Sequence, residues 1–410
     1  MTQRLRFVRV LVLLLGSLLL AGGTGCAVLY ILTPFIYGGA DLLPTNLTVA
    51  ALAAIGLSFG FGLISIGRNS LRGTPSATFH PPSPWRFVSL FVLCLIAGQL
   101  MLFLLPTARF TSWAFPPLHI LAAASPALAV LAFVGLRTRA ASRRTVGLEL
   151  SYGALLAPMG ALVAELIVIL VVVIAVAVVV VLTPGGIETL VDLSNSLQDP
   201  SWIEDPVNLA QLVLSPAALT IIVVVFVILA PLIEEFLKGL GVLLLGYRLR
   251  GQAEALLWGV ACGAGFAIGE SFFNGSIALD GWGAVMVMRW GASLMHCIAS
   301  GVMGLGWHQA LVERRPWRLL AAFGASTGIH ALWNGAAVAV AVPSLLIMSR
   351  PDDLTAQSFA ALTVLGALAF LILLTISMTI VTVRLTRKVG QASVEVDPAG
   401  PEVAPGSEVA

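Results

Sequence analysis

Pro231-Leu-Ile-Glu-Glu-Phe-Leu-Lys238 stands in the middle of an apolar run covering about 217–247. An ionised side chain at bilayer depth costs about 2.5–3.5 kcal/mol on insertion scales, so three such groups within five residues need a compensating arrangement. On a helix, Glu234 and Lys238 are i, i+4 neighbours that can neutralise each other. Glu235 lies about 100° round from Glu234 and must find another partner. A structural ion pair between helices meets this need. So does a functional site, because intramembrane charges also mark transporters and proton relays.

The rest of the chain has the composition of a membrane protein. Of its 410 residues 59% are hydrophobic and only 10% are charged, with a mean hydropathy of +1.00, whereas a soluble globular protein carries about 25% charged residues. The expectation is an all-α fold, a polytopic transmembrane helical bundle of about ten spans in the lipid bilayer, with no nucleic-acid partner. Outside the central stretch all basic side chains but Arg109, Arg289 and Arg350 fall in alternate loops. That is the positive-inside pattern and puts both termini on the cytoplasmic side. Cys26, Cys94, Cys262 and Cys297 lie in apolar runs without C-x-x-C spacing and read as small buried residues.

Taken in order, spans are expected at about 7–32, 47–66, 87–105 and 118–136, the basic loops holding Arg68, Arg72 and Arg86, then Arg137, Arg139, Arg143 and Arg144. The run 146–183 is too long for one upright helix. It is read as an interfacial or tilted opening at 148–158 followed by a fifth span, with Glu149 at the interface and Glu165 deeper. The loop 185–215 carries Glu188, Asp192, Asp199, Glu204 and Asp205 and no basic residue, so it is the largest external segment. Five spans follow at about 217–247, 255–273, 285–312, 319–342 and 359–383. Val389 onward, poor in aromatic residues, reads as a disordered tail. The domains expected are an N-terminal membrane region 1–212, a four-span core 213–345, a last span 346–388 and the tail 389–410.

Within the four-span core each helix brings acid or imidazole to membrane depth: Glu234, Glu235 and Lys238, then Glu270, then His296, then His330 with Asn334. Counted from the cytoplasmic ends at 1.5 Å per residue, Glu235, Glu270, His296 and His330 lie roughly 16–24 Å deep. Neighbouring glycines would let these helices approach closely. Two carboxylates, two imidazoles and an amide suit the activation of water, with a carboxylate as general base and the imidazole and amide groups on a tetrahedral oxyanion. The same set could hold a divalent metal such as zinc through His296, His330 and Glu235. H-E-x-x-H is absent, and the residues alone leave these two readings open.

The order Glu234-Glu235-Phe-Leu-Lys238, Phe266-Ala-Ile-Gly-Glu270, Arg289 with His296, Ser300 and Gly304, and His330-Ala-Leu-Trp-Asn334 resembles the PrsW family of intramembrane proteases. The similar CAAX-processing endopeptidases carry E-E-x-x-x-R and a histidine at the place of Glu270, and this chain has the PrsW form at both. The resemblance spans about 215–344. It implies a multi-pass intramembrane peptidase of a bacterial-type plasma membrane that hydrolyses a peptide bond of a membrane-anchored, single-pass protein. Glu234 and Glu235 would be central, with His296 and His330 supporting, and the family's metal-dependent and glutamic-type descriptions both stay open. Glu235, assisted by Glu234, is assigned to water, Lys238 to charge balance, and Glu270 to orienting a histidine or completing a ligand set. The alternative is a proton-coupled transporter, against which stands the lack of an inverted repeat.

Overall fold

The computed structural model describes residues 3–36, 42–105, 109–138, 141–277, 279, 281–350 and 352–395. Among these, ten helices are long and apolar enough to cross a membrane: Arg6–Ile36, Leu43–Leu71, Pro84–Leu104, Arg109–Thr138, Arg143–Val181, Pro216–Arg248, Gln252–Asn274, Trp282–Leu311, Trp317–Ile347 and Leu354–Gln391. They are called the first to tenth spans below. No strand occurs among the described residues, and one antiparallel bridge, Thr78 to Ser142, ties two basic loops together. The expected all-α bundle is therefore present. Asp280 and Arg139 lie outside the described residues.

The seventh span is the axis of the bundle. It is almost wholly enclosed, and it packs along the fourth and eighth spans and against the first half of the fifth. Leu256, Leu257, Trp258, Phe115 and Trp282 form the centre of this core. Glycine makes the contacts close. A Cβ on Gly259 would collide with the Ser300 carbonyl, one on Gly263 with the His296 carbonyl, and one on Gly304 with the Ala255 carbonyl. The seventh and eighth backbones thus touch along several turns, the small-residue packing that brings helices together without a hydrophobic drive between them. His119 belongs to this core and is structural. Its Nε2 donates to the Phe272 carbonyl at 3.1 Å and its Nδ1 accepts from the Trp282 indole at 3.0 Å.

The fifth and sixth spans each contain a widened turn, at Tyr152–Leu156 and Val223–Leu229. Pro158 and Pro231 follow these turns closely. A proline ring inside a helix removes one donor and crowds the carbonyl four residues back, here those of Ala154 and Val227, and a π-type turn relieves the clash without ending the helix. In the sixth span the Ala230 amide is used by the Val225 carbonyl, and the next carbonyl, Phe226, faces a proline nitrogen with no hydrogen. The Asn334 side-chain amide donates to it at 2.9 Å.

Two expectations need correction. Residues 148–158 are not a segment separate from the fifth span but the first half of one continuous helix, Arg143–Val181, because the π-turn lets it pass Pro158. Glu149 is enclosed by protein, 1% exposed, between the fifth and sixth spans. The chain is helical beyond Val389, since the last helix runs to Glu395 and Val389 is buried against the basic end of the bundle. Residues 396–410 lie outside the described residues. In the acidic loop the chain forms short helices Gly186–Ser196, Pro200–Glu204 and Pro206–Val213. Asp199 and Asp205 are their N-caps, accepting from the Ser201 and Val207 amides at 2.9 and 2.8 Å. The hydrogen bonds from Ser201 lower the Asp199 carboxyl's pKa below its usual value.

At Gly153 a Cβ would overlap the Cys262 carbonyl, whereas at Gly22 nothing lies within 4 Å. Gly153→Ala should therefore cost about 1–3 kcal/mol of unfolding free energy, read by denaturant titration in detergent micelles. Gly22→Ala should be neutral, and equal effects at the two positions would refute the close packing.

Candidate active site

Four spans deliver the polar residues to one place. Glu234, Glu235 and Lys238 come from a single turn of the sixth span. Phe266 and Glu270 are one turn apart on the seventh, His296 is on the eighth and His330 on the ninth. The glycine contacts between the seventh and eighth spans fix how near Glu270 and His296 can come.

Lys238 is the hub. Its side chain is fully enclosed, and Nζ lies 2.5 Å from Glu235 Oε1, 3.0 Å from His296 Nδ1 and 3.4 Å from Glu234 Oε2. The Phe266 ring lies beneath it, 4.3 Å from Nζ to the ring centroid. An ammonium has three protons and no acceptor, so all three are accounted for here, and the aromatic face takes the remaining side. Glu235 Oε1 also accepts from His330 Nδ1 at 2.9 Å. Its Oε2 is buried with no hydrogen-bond partner.

A second cluster holds His296 from the opposite side. His296 Nε2 donates to Glu270 Oε2 at 2.7 Å, since its Nδ1 already accepts from Lys238. Glu270 is clamped by the Arg289 guanidinium through two bonds of 3.0 and 2.9 Å, the bidentate geometry in which arginine is not replaceable by lysine. Arg289 Nε donates to Ser271 Oγ at 2.9 Å, and Asn274 donates to Glu270 at 2.9 Å. The two imidazoles meet edge to face, centroids 5.0 Å apart. Three carboxylates thus face two permanent cations across a site walled by apolar helices, and the negative excess suits a bound cation.

Ligand-type atoms of Glu234, His296 and His330 all lie within 4.8 Å of one another. Two imidazoles and a carboxylate are a donor set suited to zinc. Each imidazole gives one nitrogen to a carboxylate, His330 to Glu235 and His296 to Glu270, the outer arrangement that orients metal-binding histidines, and a metal at His296 Nδ1 would replace the bond from Lys238. The residues present therefore fit a divalent metal, with one change from the sequence reading. The third converging donor is Glu234, whose side chain is 12% exposed, rather than Glu235, whose side chain is enclosed and whose Oε1 is held by Lys238 and His330.

The structure brings together Glu234, Glu235, Lys238, Glu270, His296 and His330. Asn334 is one turn from His330 but directs its amide nitrogen to the Phe226 carbonyl, so it braces the ninth span against the sixth instead of facing an oxyanion. Two residues outside the candidate set belong near the site. Arg289, readable from sequence as either an anchor or a positioning cation, is the clamp on Glu270. Glu165 on the fifth span has a buried Oε1 without a hydrogen-bond partner and lies within electrostatic reach of Glu234, Glu270 and Lys238. It follows Ala161 by one turn on the face that packs with Phe266. The four-residue spacing from Ala157 through Ala161 to Glu165 puts this acid on that face.

The sequence profile of the family described as PrsW family intramembrane metalloprotease matches residues 149–374, more than half of the chain. The match begins in the fifth span and ends in the tenth, wider than the four spans that carry the motifs. Neither a curated protein nor a solved structure matches.

Glu270→Gln breaks one arm of the clamp and the anionic acceptor of His296. It should lower cleavage of a membrane-anchored reporter about 10–100-fold, measured in reconstituted vesicles. Asn334→Ala should leave turnover within a few-fold and lower unfolding free energy by about 1–3 kcal/mol, since it orphans the Phe226 carbonyl in apolar surroundings. A large turnover loss for Asn334→Ala with unchanged stability would restore it to the reacting groups.

Proposed function

The chain belongs to the PrsW family of intramembrane metalloproteases, and from that premise we propose that it is an endopeptidase hydrolysing a peptide bond of a membrane-anchored protein, with Glu235 as the general base. As a family member it is a membrane-embedded peptidase. The observation that carries the finer reading is the convergence of Glu234, Glu235, His296 and His330 around Lys238.

Glu234, His296 and His330 would hold a divalent metal, with zinc the metal their chemistry suits. When bound, that metal would supply Lewis acidity toward water or the substrate carbonyl. The chain's own groups do the proton work. Glu235 Oε2, the free acceptor in the site, takes a proton from water as the oxygen adds to the carbonyl carbon. Lys238 places a positive charge beside the carboxylate pair, which limits the charge build-up as negative charge develops on the carbonyl oxygen. The carbon–nitrogen bond then breaks, and the proton held by Glu235 passes to the leaving amine. Water is consumed and the products are one carboxylic acid and one amine, which together hold both of its protons. Glu270 and Arg289 keep His296 in one tautomer throughout. The positive-inside pattern and the family support a bacterial-type plasma membrane.

Proton-coupled transport is not favoured: the family match and the two-imidazole, one-carboxylate set both point to hydrolysis. Vesicles that show pH-driven solute flux and no cleavage would reverse this. Glu235→Gln preserves shape and removes the base, so cleavage should fall about 10²–10⁴-fold. Wild-type turnover in that variant ends the assignment. Metal content offers a readout free of turnover. The purified wild type should retain a divalent metal, and Glu234→Gln combined with His330→Ala should lose it. A metal retained by the double variant would contradict the donor set.

A further inference from the structure

Hydrolysis inside a bilayer needs a supply of water, and the family reading does not say where it enters. At the basic end of the bundle an open cavity of about 1030 Å³ lies against Thr145, Arg248, Trp258 and His308. A smaller one, of about 120 Å³, shares Thr145 and Arg248 and reaches Leu148. Both adjoin the turn of the fifth span that carries Glu149.

Glu149 follows Thr145 by one helical turn on the same face. It is 1% exposed, and both carboxyl oxygens are buried without a hydrogen-bond partner. A Cβ built on Gly241 would meet Glu149 Oε2 at 2.7 Å and the Tyr152 ring at the same distance, so the carboxyl lies against the sixth span where glycine leaves room for it. The seventh span repeats the pattern. Trp258 lines the large cavity, and its indole nitrogen is buried and unpartnered. One turn deeper, Cys262 donates its thiol to the Lys238 carbonyl at 3.3 Å and lies within electrostatic reach of Glu149. Beside it Tyr152 donates to the Leu237 carbonyl at 2.9 Å. A buried carboxyl with neither oxygen bonded is costly, and native structures normally satisfy such groups with protein or water. Here it stands between an open cavity and the backbone of the residue at the hub of the site.

We propose that the hydrolytic water enters from the basic end of the bundle, through this cavity and along a polar seam of Thr145, Trp258, Glu149 and Cys262, with Glu149 as the step at the junction of the fifth, sixth and seventh spans. The water would meet Glu235 from the basic end. Glu149 touches neither substrate nor the reacting atoms. It acts by keeping the seam hydrated.

The proposal rests on the hydrolytic reading, so its test separates the two. In reconstituted full-length protein with Cys26, Cys94 and Cys297 replaced, a small charged methanethiosulfonate is applied and the modification of Cys262 is followed by mass spectrometry. Cys262→Ser serves as the blank. Cys262 should be modified, and Glu149→Leu should slow modification by about tenfold, equivalent to about 1.4 kcal/mol of added barrier. Glu149→Gln, which keeps a polar group of the same shape and controls for folding, should stay near wild type. In cleavage assays Glu149→Leu should lower kcat and leave KM for the membrane-anchored substrate unchanged. An unreactive Cys262, or equal modification rates in wild type and Glu149→Leu, overturns the seam. Modification that follows this pattern in a chain that cleaves nothing overturns the protease reading and leaves the seam standing.

Discussion

One ammonium group, that of Lys238, holds the site together. A cation at this depth cannot be left alone, and neither can the two glutamates beside it. Lys238 answers both requirements by lying between Glu235, Glu234 and the lone pair of His296, over the face of Phe266. The sixth span supplies the charges, but it cannot satisfy them from its own turn. It must take His330 from the ninth span and His296 from the eighth, and His296 in turn needs Glu270 and Arg289. The polar network is therefore closed only when four helices are in register. Removing one member would leave buried charge uncompensated, the costly case for such networks.

The packing that permits this closure is largely glycine. The seventh and eighth spans lie backbone to backbone at Gly259, Gly263 and Gly304, which brings Glu270 and His296 to 2.7 Å. The π-turns of the fifth and sixth spans serve the same end. Each accommodates a proline inside a helix, and the one before Pro231 leaves a carbonyl that Asn334 fills. That bond ties the ninth span to the sixth one turn from His330. Function and packing thus share residues, and a change in either reaches the other.

Much of this was legible in the sequence. Ten apolar runs separated by alternating basic loops give the span count, and the recurrence of acid or imidazole at one depth marks Glu235, Glu270, His296 and His330. Other features depend on neighbours that periodicity cannot supply. Glu149 sits near a basic loop in sequence, yet Gly241 on the next span, 92 positions along the chain, makes the space that buries it. Glu235 reads as a metal ligand from sequence, whereas in the structure its Oε1 pairs with Lys238 and His330 and the carboxylate that converges with the two histidines is that of Glu234. Asn334 has the spacing of a site residue, and only the carbonyl before Pro231 explains where its amide goes. The proximity of Arg289 to Glu270 across two helices has no signature within either one.

The central claim is that the sixth and ninth spans meet at these side chains. It is tested most directly by bridging them. Glu234 Oε2 and His330 Nε2 lie 3.8 Å apart, so in a chain with its four native cysteines replaced, the pair Glu234→Cys and His330→Cys should be joined by mercuric ion. After proteolysis of the loop between the eighth and ninth spans, the bridged chain should migrate as one piece and each single variant as two. Separate fragments from the double variant, in protein that remains folded, would mean that the glutamate and the histidine do not share a site.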